Sequence, residues 1–155
     1  MCRDTHRLKI NVVDAYQQDD HGPYKDLSGA GVALKLVMAL EGGDTAGVLE
    51  EYADLAALGT VADVVPVLGE NRAIVKAGLR ILAQGGRAGV DALMEESGMG
   101  GKAATATSLA FTVIPRINAT GRMGAPERAV RLLTCDSFEE ASPLSQEICE
   151  DNARR

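Results

Sequence analysis

The run Gly59-Thr-Val-Ala-Asp63-Val-Val-Pro-Val67 constrains this chain more than any other stretch. A helical approach, Leu55-Ala-Ala-Leu58, ends at Gly59, and a β-branched run follows that holds a single charge, Asp63. Val61, Val64 and Val65 suit a buried strand or a tightly packed turn, so Thr60–Val65 is expected as a short strand with Asp63 among apolar neighbours. A carboxylate buried without a partner is costly. Backbone N–H groups at a turn or helix end are one partner that offsets the cost, with Pro66 fixing the exit. A divalent cation, which prefers oxygen ligands, is the other. Taken alone, the residues favour the backbone partner, the commoner role of Asp in an apolar turn.

The rest of the composition says what such a turn is built into. Hydrophobic residues make up 46% of the 155 residues, yet aromatics only 3%, with no Trp. The core must therefore be aliphatic and Ala-rich, which favours closely packed helices. A net charge of −6 excludes a chain that binds polyanions as a whole. The charge is unevenly placed, however. Glu41 to Asp63 holds six acids and no base, while Lys102 to Cys135 holds five bases against Glu127 alone. The three cysteines, Cys2, Cys135 and Cys149, lack metal-ligand spacing, and their odd number argues for reduced thiols. No apolar run approaches membrane-spanning length and the N-terminus lacks a signal-peptide core, so a soluble, cytoplasmic protein with no membrane partner is expected.

In chain order, Leu8-Lys-Ile-Asn-Val-Val13 alternates and then runs apolar, as a short strand would. Gln17 to Pro23 is a polar loop; His21 within it, like His6 before it, has no ligand-spaced partner and reads as a solvated side chain. Ser28 is a candidate N-cap for a helix carrying Ala33, Leu36, Val37 and Leu40, stopped by Gly42-Gly43. Gly29-x-Gly31 lacks the third glycine and the upstream strand of a dinucleotide fingerprint, and close helix packing explains it better. Asp44-Thr45 caps a second helix, and further helices are expected over Glu70–Ala83, Gly89–Glu96, Thr105–Val113 and Ala125–Leu133. Ser137-x-x-Glu140 opens the last helix as a capping box, and Pro143 inside it should kink it.

Between the fifth and sixth of these lies Pro115-Arg-Ile-Asn-Ala-Thr-Gly-Arg122. The segment is expected to leave a helix and enter a loop, where Arg116, Asn118 and Arg122 could converge on one anion. Two guanidiniums and an amide would grip phosphate oxygens. Equally open on these residues is that both arginines cap helix ends or pair with Glu127.

The first block, with Gly69-Glu-Asn-Arg72 following it, resembles the fourth motif of the DHH phosphoesterases in their RecJ form, and the Pro115–Arg122 block is similar to a second segment of the same family. Here Ile114 stands where the family has glycine and Thr120 where it has alanine. The resemblance runs from about Val12 to Arg155. It implies Asp63 as a ligand of a catalytic Mn²⁺ or Mg²⁺ pair and, with Arg116, as a catalytic residue. It further implies Arg116, Asn118 and Arg122 as phosphate contacts to single-stranded DNA, cleaved from its 5′ end during recombination and repair. The Asp-x-Asp and Asp-His-His motifs that supply the other ligands do not occur; Asp19-Asp20-His21 is neither in the right place nor the right order. The expectation is therefore an internal fragment whose partner is the remainder of the exonuclease chain, inactive by itself. Its fold class would be mainly α with a small β remnant, the back part of an α/β DHH-type domain followed by connecting helices. Residues 1–68 would end the catalytic domain and residues 69–155 form a helical segment. Two alternatives are a non-catalytic helical interaction module and a DHH phosphoesterase acting on short oligonucleotides or cyclic dinucleotides.

Overall fold

The computed structural model describes residues 21–154, and every regular element among them is helical: α1 Gly29–Leu40, α2 Thr45–Ala62, α3 Gly69–Gln84, α4 Ala88–Glu96, α5 Ala106–Phe111, α6 Val113–Arg122, α7 Pro126–Thr134 and α8 Phe138–Ala153. The mainly helical reading holds. Leu8–Val13 lies outside the described residues. Thr60–Val65 is not a strand: α2 continues through Gly59 to Ala62, and only residues 63–68 break from it. Ala56-Ala57-Leu58 before the glycine, and contacts on either side, carry the helix past a residue that sequence alone marks as its stop. Local β-propensity is a weak preference when the same side chains can be buried on a helix face.

Side chains named from the sequence start three helices. Ser28 Oγ accepts from Gly31 N at 3.0 Å, Asp44 Oδ1 from Gly47 N at 3.0 Å, and Ser137 Oγ from Glu140 N at 3.2 Å. Gly42 and Gly43, both at positive φ, end α1. Pro143 lies inside α8, which runs through it as one element. The Thr105–Val113 helix is divided: α5 ends at Phe111, Thr112 makes the joint, and α6 begins at Val113.

Packing follows from the small residues. Gly78 of α3 faces α2 so closely that a methyl group there would run into the Ala53 carbonyl and the Ala57 side chain. Gly59 meets Ala30 of α1 in the same way, and Gly89 of α4 meets the Leu132 carbonyl. Helices in such contact bury little area per residue but lose little side-chain entropy. Leu34, Val48, Ala56 and Ile74 form a small core between α1, α2 and α3. The larger core joins Leu58 of α2 and Leu82 of α3 to α4, α5, α6, α7 and α8 through Val90, Leu93, Leu109, Val113, Leu132 and Ile148. Each fully buried Leu or Ile there contributes about 1.5–3 kcal/mol relative to exposure. Two ion pairs brace the loops: Arg87 with the buried Asp54 at 2.7 Å, and Arg128 with the buried Asp151 at 2.6 Å. The first holds the loop after α3 against α2; the second joins α7 to α8.

Candidate functional site

Asp63 is the C-cap of α2, with its N–H bonded to the Gly59 carbonyl. Its side chain is exposed and meets no described residue in a hydrogen bond or ion pair, so the expectation of an Asp63 buried among valines is overturned. The valines turn away because the chain reverses at once. Val64 takes φ +56 and is 88% exposed, and it alone among the described non-glycine residues has a positive φ. That position after a helix normally belongs to glycine, and a β-branched residue there is strained. A strained conformation persists only where its surroundings over-determine it.

The surroundings do so, through residues of the same motif. Before the turn, Thr60 Oγ1 lies 2.8 Å from Ser28 Oγ, both fully buried, which pins the last turn of α2 to the start of α1. After it, Asn71 Nδ2 donates to the Pro66 carbonyl at 3.0 Å and to the Asp26 carbonyl at 2.6 Å. Tyr24 Oη donates to the Leu68 carbonyl at 2.8 Å, and its ring packs over Gly69, which is also at positive φ. Thr60, Asn71 and Tyr24 are functional candidates that sequence reasoning did not single out. The signal for Asn71 was its place in Gly69-Glu-Asn-Arg72.

The second block is a helix, not a loop. Residues two apart on a helix point to different sides, while residues four apart share a side. Asn118 and Arg122 therefore share one face of α6, and Arg116 lies on another. Asn118 lines an apolar groove of about 260 Å³ with Leu55, Leu58, Gly59 and Ala62 of α2, which places it alongside the residues leading to Asp63. Arg122, in the last turn of α6, is exposed and forms no ion pair with a described residue. Arg116 is half-buried; its Nη1 donates to the Thr112 carbonyl at the α5–α6 joint and its buried Nε has no partner. It also lies beside Cys149 of α8. Burial pushes that thiol above its ordinary 9.0, an effect the Arg116 hydrogen bond and charge partly offset. The structure thus brings Asn118 toward the Asp63 end of α2 and turns Arg116 toward α8.

No group of three or more His, Cys, Asp or Glu side chains suited to a metal ion occurs among the described residues. Hard divalent cations take about six or more oxygen ligands, and the Asp63 turn supplies one carboxylate. Its oxygen is the donor type such a cation takes, one of the several ligands it needs. None of the helices among them is long and apolar enough to cross a membrane.

No protein-family model matches the chain. Individual proteins do. The chain is 46% identical over 130 residues to the single-stranded-DNA-specific exonuclease RecJ of Thermus thermophilus, a match covering 83% of this chain and 19% of that protein. With RecJ of Bacillus subtilis the identity is 41% over 133 residues (86% and 16%), and with that of Escherichia coli 37% over 149 residues (88% and 26%). A crystal structure of Thermus thermophilus RecJ in complex with Mn²⁺ superposes with a TM-score of 0.75 at 40% identity, covering 90% of this chain and 21% of that one. Another, of exonuclease RecJ bound to manganese, gives 0.76 at 44% identity, covering 86% and 34%. The chain spans about a quarter or less of the length of these curated relatives. Across the stretch it shares with them, it is a homologue of the RecJ single-stranded-DNA-specific exonucleases.

Proposed function

We propose that this chain is part of a single-stranded-DNA-specific exonuclease that hydrolyses phosphodiester bonds from the 5′ end, in DNA recombination and repair in the cytoplasm. The observation that carries the reading is the Asp63 turn. An exposed, unpaired carboxylate stands on a strained reversal held by three separate tethers, and it lies within a stretch homologous to exonucleases whose structures contain Mn²⁺. Strain maintained around a solvent-facing carboxylate is better explained by a ligand than by capping, since the helix end is already closed by its own backbone. Under this proposal Asp63 contributes one oxygen donor to a Mn²⁺ or Mg²⁺ site, and the remaining ligands come from the remainder of the exonuclease chain. We assign no hydrolytic step to the residues described here.

Arg122 and Asn118 are the proposed phosphate contacts, being exposed and on one face of α6. Arg116 keeps a place in the proposal through its unpartnered Nε; to meet a phosphate its guanidinium would leave Thr112 and Cys149. The division at residue 68 also remains part of the proposal, as a boundary between segments of the parent fold across which α2 and α3 stay packed. The test is exonuclease assay of the full-length protein on a 5′-labelled single strand in Mn²⁺. Asp63→Ala should abolish hydrolysis while leaving the unfolding temperature within a few degrees. Undiminished hydrolysis in that variant would refute the role given to Asp63.

A further inference from the structure

We propose that Asn71 is a positioning residue for Asp63, a role that rests on the reading of Asp63 as a metal ligand. Asn71 lies in the first turn of α3 and has no exposed surface. A buried amide is costly unless its hydrogens and oxygen are paired. Here both Nδ2 hydrogens are used, on Asp26 O and Pro66 O, while Oδ1 is buried without a partner. An apolar side chain of equal size would remove that unpaired oxygen, so the two donated bonds are what an asparagine adds at this place.

Both recipients lie outside helices. Pro66 belongs to the passage between α2 and α3, whose ends are closed by the Asp63 N–H bond to Gly59 O and the Arg72 N–H bond to Leu68 O, while residues 64–67 between them have no helical backbone bonds. Asp26 belongs to the segment leading into α1, whose Ser28 holds Thr60 three residues before Asp63. One side chain therefore ties the chain after Asp63 to the same segment that anchors the chain before it. Asn71 reaches Asp63 only through the backbone: it fixes where the turn passes, and with it the direction in which the Asp63 carboxylate is presented at the left-handed Val64. A partner hydrogen-bonded directly to a ligand typically contributes about 10–100-fold to metal affinity; Asn71, acting through the backbone, should contribute at or below the low end of that range.

The test uses the full-length exonuclease and Mn²⁺ binding followed by the electron paramagnetic resonance of free Mn²⁺, with no substrate present. Asn71→Leu preserves volume and removes both donors; it should weaken Mn²⁺ binding by up to about tenfold at a temperature well below its unfolding transition. Tyr24→Phe, which removes only the tether to Leu68, should weaken it less. Arg87→Leu, which breaks the buried Asp54 pair away from the turn, is the control for general destabilisation and should bind Mn²⁺ as the parent does. Wild-type Mn²⁺ affinity in folded Asn71→Leu overturns the proposal, as does an equal loss in Arg87→Leu, which would make the effect one of stability. Asp63→Ala separates the two readings: if it too binds Mn²⁺ unchanged, the assignment of Asp63 has failed and the role of Asn71 falls with it.

Discussion

The turn at Asp63 and the helix at Arg116–Arg122 were both conspicuous in the sequence, and the structure treats them in opposite ways. Around Asp63 the motif residues surround one point: Gly59, Thr60, Pro66, Gly69 and Asn71 each make a contact that fixes the path of the chain from α2 into α3. In α6 the polar residues are spread by the helix itself, Asn118 and Arg122 to one face and Arg116 to another. A compact string of chemical groups becomes a site only where the backbone departs from regular structure or where spacing matches the helical repeat. The turn meets the first condition. The helix meets the second for two of its three residues.

In the full-length protein, Asp63→Ala should lower single-strand hydrolysis by at least the roughly 100-fold that losing a ligand's hydrogen-bond partner can cost, if Asp63 is the ligand proposed above. The helix should respond by residue. Arg122→Ala should weaken single-stranded DNA binding and lower the slope of log affinity against log salt by about 1. Arg116→Ala should change that slope less than Arg122→Ala does and cost about 1 kcal/mol in denaturant unfolding, the worth of its bond to the Thr112 carbonyl. An equal change of slope for both arginines would show that α6 presents them together.

Smaller effects sharpen the account. Val64→Gly should stabilise the chain by up to about 1 kcal/mol, since relief of the left-handed valine outweighs the extra chain entropy of glycine. The same change should weaken Mn²⁺ binding in the full-length protein if the strain holds the carboxylate in place. Smallest is a pH effect on the other side of α6. Burial raises the Cys149 thiol above its ordinary 9.0, so the folded state holds the proton more tightly than the unfolded chain. The stability this provides is fully present below pH 9.0 and is lost as pH rises through the higher folded value. Unfolding midpoints measured from pH 8 upward should fall, and Cys149→Ser should flatten the decline.

Much of this was legible in the sequence because it was local. Ser28, Asp44 and Ser137 declare helix starts by side-chain chemistry, and the period of aliphatic residues gave the helices within a few positions. What was not legible depended on distant partners. Glycine often ends a helix, which makes Gly59 look like one; here it is the point where α2 can touch Ala30, 29 residues upstream in the chain, and the helix passes through it. The exposure of Asp63 was hidden for a related reason. A valine-rich flank suggests burial, and only the forced left-handed Val64 sends the flank outward. Asn71 looked like one polar residue in a helix start, and nothing nearby in sequence shows that its partners are Asp26 and Pro66. The splitting of Arg116 from Arg122 comes from the helix that the Pro-to-Gly segment forms where a loop is expected; proline is well tolerated in the first turn of a helix, and Pro115 lies in the first turn of α6.

Under the proposed function, the Asp63 turn supplies one share of a site that other parts of a longer exonuclease complete. The most direct test of that claim is an exonuclease assay of the purified 155-residue chain on a 5′-labelled single strand in Mn²⁺ or Mg²⁺, with Asp63→Ala as the control for contaminating nuclease. The claim predicts no hydrolysis above that control, since one carboxylate cannot hold a bridged metal pair and residues that act as a unit do not retain a proportional share of the rate. Robust hydrolysis by the chain that disappears in Asp63→Ala would contradict it, because the site would then be complete within these residues.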